Sequence, residues 1–215
     1  MTTDKNSFAR EGLPFIFLSL VLVLISIAIH PLATVITTLL LAFVLYFFRN
    51  PQRHPSQEND ILISPADGKV IQVERVVEPD FLKKELLRVT IFMSPFNVHV
   101  NRFPDTGTVL GKAYHKGKFL KAFSPDASLH NERSALHIKT NSDKDVVFVQ
   151  IAGWLARRIV SYPKEGDSYD RGQIFGVIRF GSRMDVYLPE DYECIVSLEQ
   201  KVKAGETILA RKAKG

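Results

Sequence analysis

Apolar and polar positions follow two regimes along the chain. From position 13 to position 48, 36 consecutive residues contain no Asp, Glu, Lys or Arg. A membrane-crossing helix needs about 20 apolar residues, so this run is long for one span and slightly short for two. Ile29-His30-Pro31-Leu32 divides it near the middle, where proline disfavours an uninterrupted helix. The pattern predicts a helical hairpin with arms over residues 15–29 and 33–48 and with His30 and Pro31 in the turn. Whether it crosses fully or re-enters stays open at this level. A cleaved signal peptide fits poorly, because its apolar core spans only about 7–15 residues.

Beyond position 60 the period changes to two. Residues 70–73, 87–91, 97–101, 146–151, 176–180 and 185–188 are rich in Val, Ile and aromatics and are separated by Gly, Pro, Asn or Asp, the signature of strands. Only residues 80–87 read as helical. The expected organisation is a tail over 1–12, a membrane hairpin over 13–48, a basic linker over 49–60 and a catalytic domain over 61–215. That domain is predicted to be mainly β, antiparallel, barrel-like or a sandwich, with few short helices.

Composition changes the picture in three ways. With 46% hydrophobic and 24% charged residues the chain folds. Its formal net charge of +5 suits an anionic membrane surface or an acidic substrate and is too weak to point to nucleic acid. Asp4, Lys5, Arg10 and Glu11 cancel, so this charge lies wholly beyond the hairpin. Lys5 and Arg10 precede the apolar run, Arg49 and Arg53 follow it, and the His-Pro connector has neither Lys nor Arg. Both flanks, and the body with them, are therefore expected on the cytoplasmic side of the cell membrane. The single cysteine, Cys194, excludes an internal disulfide and a cysteine-built zinc site.

Nucleotide-binding glycine loops, the H-E-x-x-H zinc motif and the G-x-S-x-G elbow are missing from the sequence. Three segments carry candidate chemistry. In Ser64-Pro65-Ala66-Asp67-Gly68 a turn feeds a strand; Asp67 suits ordinary hairpin chemistry as well as catalysis. In Asn97-Val98-His99-Val100-Asn101, strand alternation puts Asn97, His99 and Asn101 on one polar face, where an imidazole can serve as a base or be a plain surface residue. His115 is the reserve; His30, His54, His130 and His137 weigh less. The third segment runs a hydrophobic strand into Gly181-Ser182 and then into another strand. Gly181 leaves its carbonyl open to close approach, and the Ser182 hydroxyl beside it can attack that carbon once a base takes its proton; a turn or bulge explains the same residues.

Taken together, Ser-Pro-Ala-Asp-Gly, the Ser-Pro-x-x-x-His strand, Lys-Gly-x-Phe, Asn-Glu-Arg, the terminal Phe-Gly-Ser-Arg and Phe47-Phe48-Arg49-Asn50-Pro51 resemble phosphatidylserine decarboxylase in its short Gly-Ser form. The resemblance covers nearly the whole chain. It implies a pyruvoyl-dependent zymogen that cleaves itself between Gly181 and Ser182 and decarboxylates phosphatidylserine to phosphatidylethanolamine in phospholipid biosynthesis. Chains 1–181 and 182–215 would form a heterodimer, with oligomerisation beyond that left open. In this scheme Ser182 attacks the Gly181 carbonyl while His99, oriented by Asp67, takes the proton. The pyruvoyl group made from Ser182 forms a Schiff base with the substrate and accepts electrons as pyridoxal cofactors do, so neither pyridoxal nor a metal is needed. His99 is the expected proton donor, with His115 second. Where the long form has another histidine, three positions after His99, this chain has Arg102. Arg49, Arg53, Lys116, Lys118 and Lys121 are candidates to meet lipid phosphate. Two alternatives are a non-enzymatic lipoyl- or biotinyl-like module, suggested by residues 200–209, and a membrane serine hydrolase with a free Ser182.

Overall fold

The computed structural model describes residues 6–117, 130–153, 158–178 and 182–213. The chain divides into two compact units, Met1–Gln52 and Arg53–Gly215.

In the first unit, α1 (Leu13–Ile27) and α2 (Pro31–Phe47) form the expected hairpin. Its turn lies two residues earlier than the apolar pattern indicates. Pro31 opens α2 instead of lying in the turn, since a first-turn proline gives up an amide hydrogen the helix does not use. His30 caps that helix, its Nδ1 accepting from Leu32 N at 3.1 Å. Ser26 and Thr37 hydroxyls meet at 2.9 Å between the arms, while Phe17, Leu24, Ile36 and Leu39 face outward. Arg10–Ile27 is long and apolar enough to cross a membrane; α2 is one residue short of that length. Phe48, Arg49 and Asn50 close the base: Ala9 N donates to Phe48 O at 2.9 Å, and Asn50 Nδ2 to Asn6 O at 2.9 Å. The Phe-Phe-Arg-Asn-Pro motif thus acts as a local staple.

The second unit is an antiparallel β sandwich. Its long sheet contains, in spatial order, β13 (Lys201–Val202), β2 (Gly68–Val77), β3 (Glu85–Met93), β11 (Ser182–Tyr187), β7 (Asp145–Ala152), β6 (Arg133–Thr140), β5 (Gly107–His115) and β9 (Ser168–Tyr169). Two three-stranded sheets accompany it: β4 (Val100–Arg102), β10 (Ile174–Ile178) and β8 (Ile159–Ser161), in the order β4-β10-β8, and β1 (Ile61–Ile63), β14 (Ile208–Lys212) and β12 (Tyr192–Cys194), in the order β1-β14-β12. Among the described residues the edge strands β13 and β9 do not pair, so the long sheet stays open and does not close as a barrel.

The main core lies on one face of the long sheet. Met93, Phe148, Ala152 and Met184 from that sheet pack with Leu62, Phe103, Phe175, Ile178 and Leu209 from the shorter strands and their connections. The Phe103, Phe148 and Phe175 rings meet edge-on at 5.0–5.6 Å, and each such burial contributes about 1.5–3 kcal/mol. A smaller cluster on the opposite face contains Leu86, Ala135, Val147, Val149, Ile151 and Tyr187. Residues 80–87 are not helical. The Glu78 carboxylate accepts from the amides of Asp80, Phe81 and Leu82 at 2.6–2.8 Å, which holds a tight turn before β3 begins at Glu85.

Candidate active site

Strand β11 occupies the middle of the long sheet, and its first residue is Ser182. Ser182 pairs with Met93 at the end of β3 and with Ala152 at the end of β7. Fully buried, its Oγ donates to Met93 Sδ at 3.4 Å. Thioether sulfur is a weak acceptor, so the hydroxyl is only lightly held. The sequence pattern expected a strand over 185–188; the structure starts it three residues earlier, which makes Ser182 a sheet residue and not a turn residue. Gly181 lies outside the described residues, as do Lys118 and Lys121.

Polar side chains collect around this point. Asn101 Nδ2 approaches the same Met93 sulfur at 3.8 Å, and Asn101 Oδ1 accepts from Gln150 Nε2 at 2.9 Å. Asn131 donates to the Ala152 carbonyl at 2.7 Å, and Ala152 N donates to Glu132 O at 2.9 Å. Glu132 also accepts from Tyr114 Oη at 2.9 Å. That bond, with burial and the Glu132 charge, pushes the Tyr114 phenol up, against the Arg158 guanidinium. Gly176 permits the assembly: a Cβ there would stand 2.1 Å from Val160 O and 3.0 Å from Gln150 Nε2.

His99 sits two residues before Asn101 and is 1% exposed. Its carbonyl accepts from Ile178 N at 3.3 Å, which fixes it beside the end of β10, the strand that leads toward Ser182. His99 Nδ1 lies 3.0 Å from Asn97 O. A carbonyl only accepts, so Nδ1 carries the hydrogen and, in the neutral ring, Nε2 carries the lone pair of a base.

Asp67 does not orient His99. Its carboxylate accepts from Arg53 Nη2 at 2.9 and 3.0 Å and from Ala204 N at 2.7 Å. The sequence could not show this pairing, because Arg53 reads as part of a linker. Asp67 does stand at the same end of the sheet as Ser182. It precedes Gly68, where a Cβ would come 2.2 Å from Phe92 O, and its turn abuts β4 through Arg102 N donating to Pro65 O at 2.9 Å. Arg53 is consequently engaged by Asp67, and by Glu206 at 3.5 Å, and is not open to phosphate. Arg49 is likewise turned onto Tyr46, with its guanidinium 3.7 Å from the ring centroid.

The structure removes His115 as an alternative acid or base for Ser182. The register His115, Arg133, Ile151, Arg183 runs straight across the sheet, so all four share the face opposite Ser182. There His115 Nε2 meets Asp80 Oδ1 at 2.8 Å.

The model of the phosphatidylserine decarboxylase family matches residues 40–210. The phosphatidylserine decarboxylase proenzyme of Desulfotalea psychrophila is 47% identical over 98% of this chain and 99% of its own length. That of Syntrophotalea carbinolica is 44% identical over 97% and 98%. The chain belongs to the phosphatidylserine decarboxylase family. As a phosphatidylserine decarboxylase family member it is a carboxy-lyase, which sets aside the carrier-module and serine-hydrolase readings.

In this phosphatidylserine decarboxylase family member, Met93 and Gln150 stand near Ser182, and Glu132 and Tyr114 are tied to it through Ala152, neighbours that pattern reading missed. Met93 and Gln150 lie in strands that read simply as core. Asn-Glu-Arg was visible as a motif, but its tie to Ser182 runs through Ala152, a pairing between distant strands.

Proposed function

We propose that the chain is made as a precursor, cuts itself between Gly181 and Ser182, and as chains 1–181 and 182–215 decarboxylates phosphatidylserine to phosphatidylethanolamine at a cytoplasmic membrane surface. The observation that supports this reading is a lightly held, fully buried Ser182 hydroxyl at the start of β11, together with a buried His99 that is tied to the end of β10 and has its Nδ1 fixed on Asn97 O.

His99 Nε2 takes the Ser182 proton as Oγ bonds to the Gly181 carbonyl carbon. The bond to the Ser182 nitrogen then breaks, that nitrogen gains the proton, and an ester replaces the amide. Loss of the Ser182 Cα proton with cleavage of the ester Cβ–O bond releases the Gly181 carboxylate and leaves dehydroalanine. Water converts this to a ketone with loss of ammonia, and no oxidant is needed.

The residues around Ser182 fit such a group: they are buried, Ala152 is small, and the Asn101 amide, held only by the weak Met93 sulfur, can donate to a carbonyl. The pyruvoyl group supplies a carbonyl that takes up the substrate amine and accepts the electron pair left by carbon dioxide. His99 Nε2, having taken a proton from the substrate ammonium, returns it to the substrate carbon, and the buried surroundings keep water from it. Asp67 acts in maturation by fixing the turn 64–67 against β4, and so His99, the residue that directly precedes that strand. The apolar outer surface of the hairpin supports a membrane location.

Intact mass after denaturation tests the cut. Two masses for 1–181 and 182–215, the smaller with a ketone-reactive terminus, are expected; one full-length mass in an active preparation would refute it. Activity on dispersed diacyl phosphoserine should far exceed that on free serine, and equal rates would remove the lipid substrate.

A further inference from the structure

The face of β11 that turns away from the reaction carries a buried ion pair. Arg183, next to Ser182, is 0% exposed and Asp185 is 1% exposed. Arg183 Nε donates to Asp185 Oδ1 at 2.8 Å, and Nη2 donates to Oδ2 at 3.0 Å. Thr90 Oγ1 on β3 donates to Asp185 Oδ1 at 2.9 Å. Arg88 Nη1 stands 3.7 Å from Asp185 Oδ2 and is itself paired with Glu74 on β2. The charges therefore continue from the start of β11 across two neighbouring strands.

A buried ion pair is a weak source of stability. Desolvating two charges is costly, and apolar replacement of a buried pair is often neutral or stabilising. What distinguishes the location is that a cut between 181 and 182 turns Ser182 into a chain end. Strand ends fray, because nothing covalent restrains them on one side. A planar guanidinium held side-on, one residue in from that end, fixes rotation about the strand axis, and with it the direction in which residue 182 points.

We propose that Arg183, through Asp185, is a positioning residue that clamps the new chain end at residue 182 so that its carbonyl stays aimed into the pocket beside His99. This rests on the cleavage reading above.

The test is the double variant Arg183→Met/Asp185→Leu, which removes both charges of the pair, fills their space with apolar side chains and leaves Arg88 its partner Glu74. We expect it to melt within a few degrees of wild type and to yield the two cut masses. Its kcat should fall about 10²-fold, the loss that misplacement by an ångström can produce, while KM stays within about twofold. Arg183→Lys, which cannot form the side-on fork, should fall between. Cut double variant with wild-type kcat would overturn the clamp while leaving the cleavage reading intact. A wild type that stays uncut would overturn both. If the double variant fails to fold, Thr90→Val decides: a several-fold drop in kcat at unchanged KM is expected, and wild-type kcat would overturn the clamp.

Discussion

Ser182 Oγ rests 3.4 Å from Met93 Sδ. A nucleophile in this position is sheltered from water but bound only by a weak acceptor, and the neighbour's chemistry sets how readily it moves. Met93→Leu conserves volume and should cost less than about 1.5 kcal/mol while leaving self-cleavage fast. Met93→Gln offers an amide oxygen that holds the hydroxyl about 1 kcal/mol more firmly, which slows cleavage roughly fivefold. Time courses of intact mass would show the order; faster cleavage in the glutamine variant would contradict it.

His99→Ala removes the proposed base. Cleavage should slow by about 10²- to 10⁴-fold, the usual worth of general base catalysis. Asn97→Ala should act more gently. Asn97 Oδ1 accepts from Ser94 N and Oγ, both at 2.8 Å, and so shapes the turn that presents the Asn97 carbonyl to the imidazole. A several-fold slower cut is expected. Unaltered cleavage in His99→Ala would show that another group takes the proton.

Asp67→Asn and Arg53→Gln should behave alike. Both dissolve the pair that holds the 64–67 turn, and each should cost about 1–3 kcal/mol of stability and slow cleavage. Slow cutting in Asp67→Asn beside normal cutting in Arg53→Gln would mean that the Asp67 charge acts on the reaction without that turn.

Two tyrosines should titrate late. Burial pushes Tyr187 up to about 12, aided by the Asp185 charge and opposed by Arg88; burial also pushes Tyr192 up to about 12. Because the folded value is raised, the stability these phenols contribute is complete below about pH 10 and is lost as pH rises from there through about 12. Absorbance titration of the six tyrosines should resolve a late step of two. Tyr187→Phe should remove one of them.

The readable parts of the sequence were those set by local periodicity. The 13–48 run became a hairpin, and alternation about Val70, Val89, Val149 and Val186 became the middle of the long sheet. His115 was misread because its usefulness depends on strand parity. A shift of one residue would have turned it toward Ser182, and the β5–β6 register includes an irregularity between Val109 and Gly111 that a single sequence does not reveal. Asp67 does stand in a turn that feeds a strand, but its carboxylate is held by Arg53 and not by His99, since Arg53 reaches it from outside any periodic element. The turn after Glu78 looked helical because helix and capped turn begin alike; the capped amides of residues 80–82 never continue into a ladder.

Among the described residues of 182–215 the strands pair with each other only at β12 and β14. β11 lies between β3 and β7, β13 is paired with β2, and β14 with β1, so nearly every strand of 182–215 completes its hydrogen bonds with strands that come before 182. The proposed cut would therefore make folding a one-time event. Before it, assembly is a unimolecular search whose speed is independent of dilution. Afterwards, a molecule that unfolds must find a separate strand donor at its ambient concentration, with an unprotected central gap in its sheet while it searches. Heating the mature enzyme should therefore be irreversible under conditions in which a Ser182→Ala precursor recovers, and its working lifetime is set by the rate of opening and not by an equilibrium.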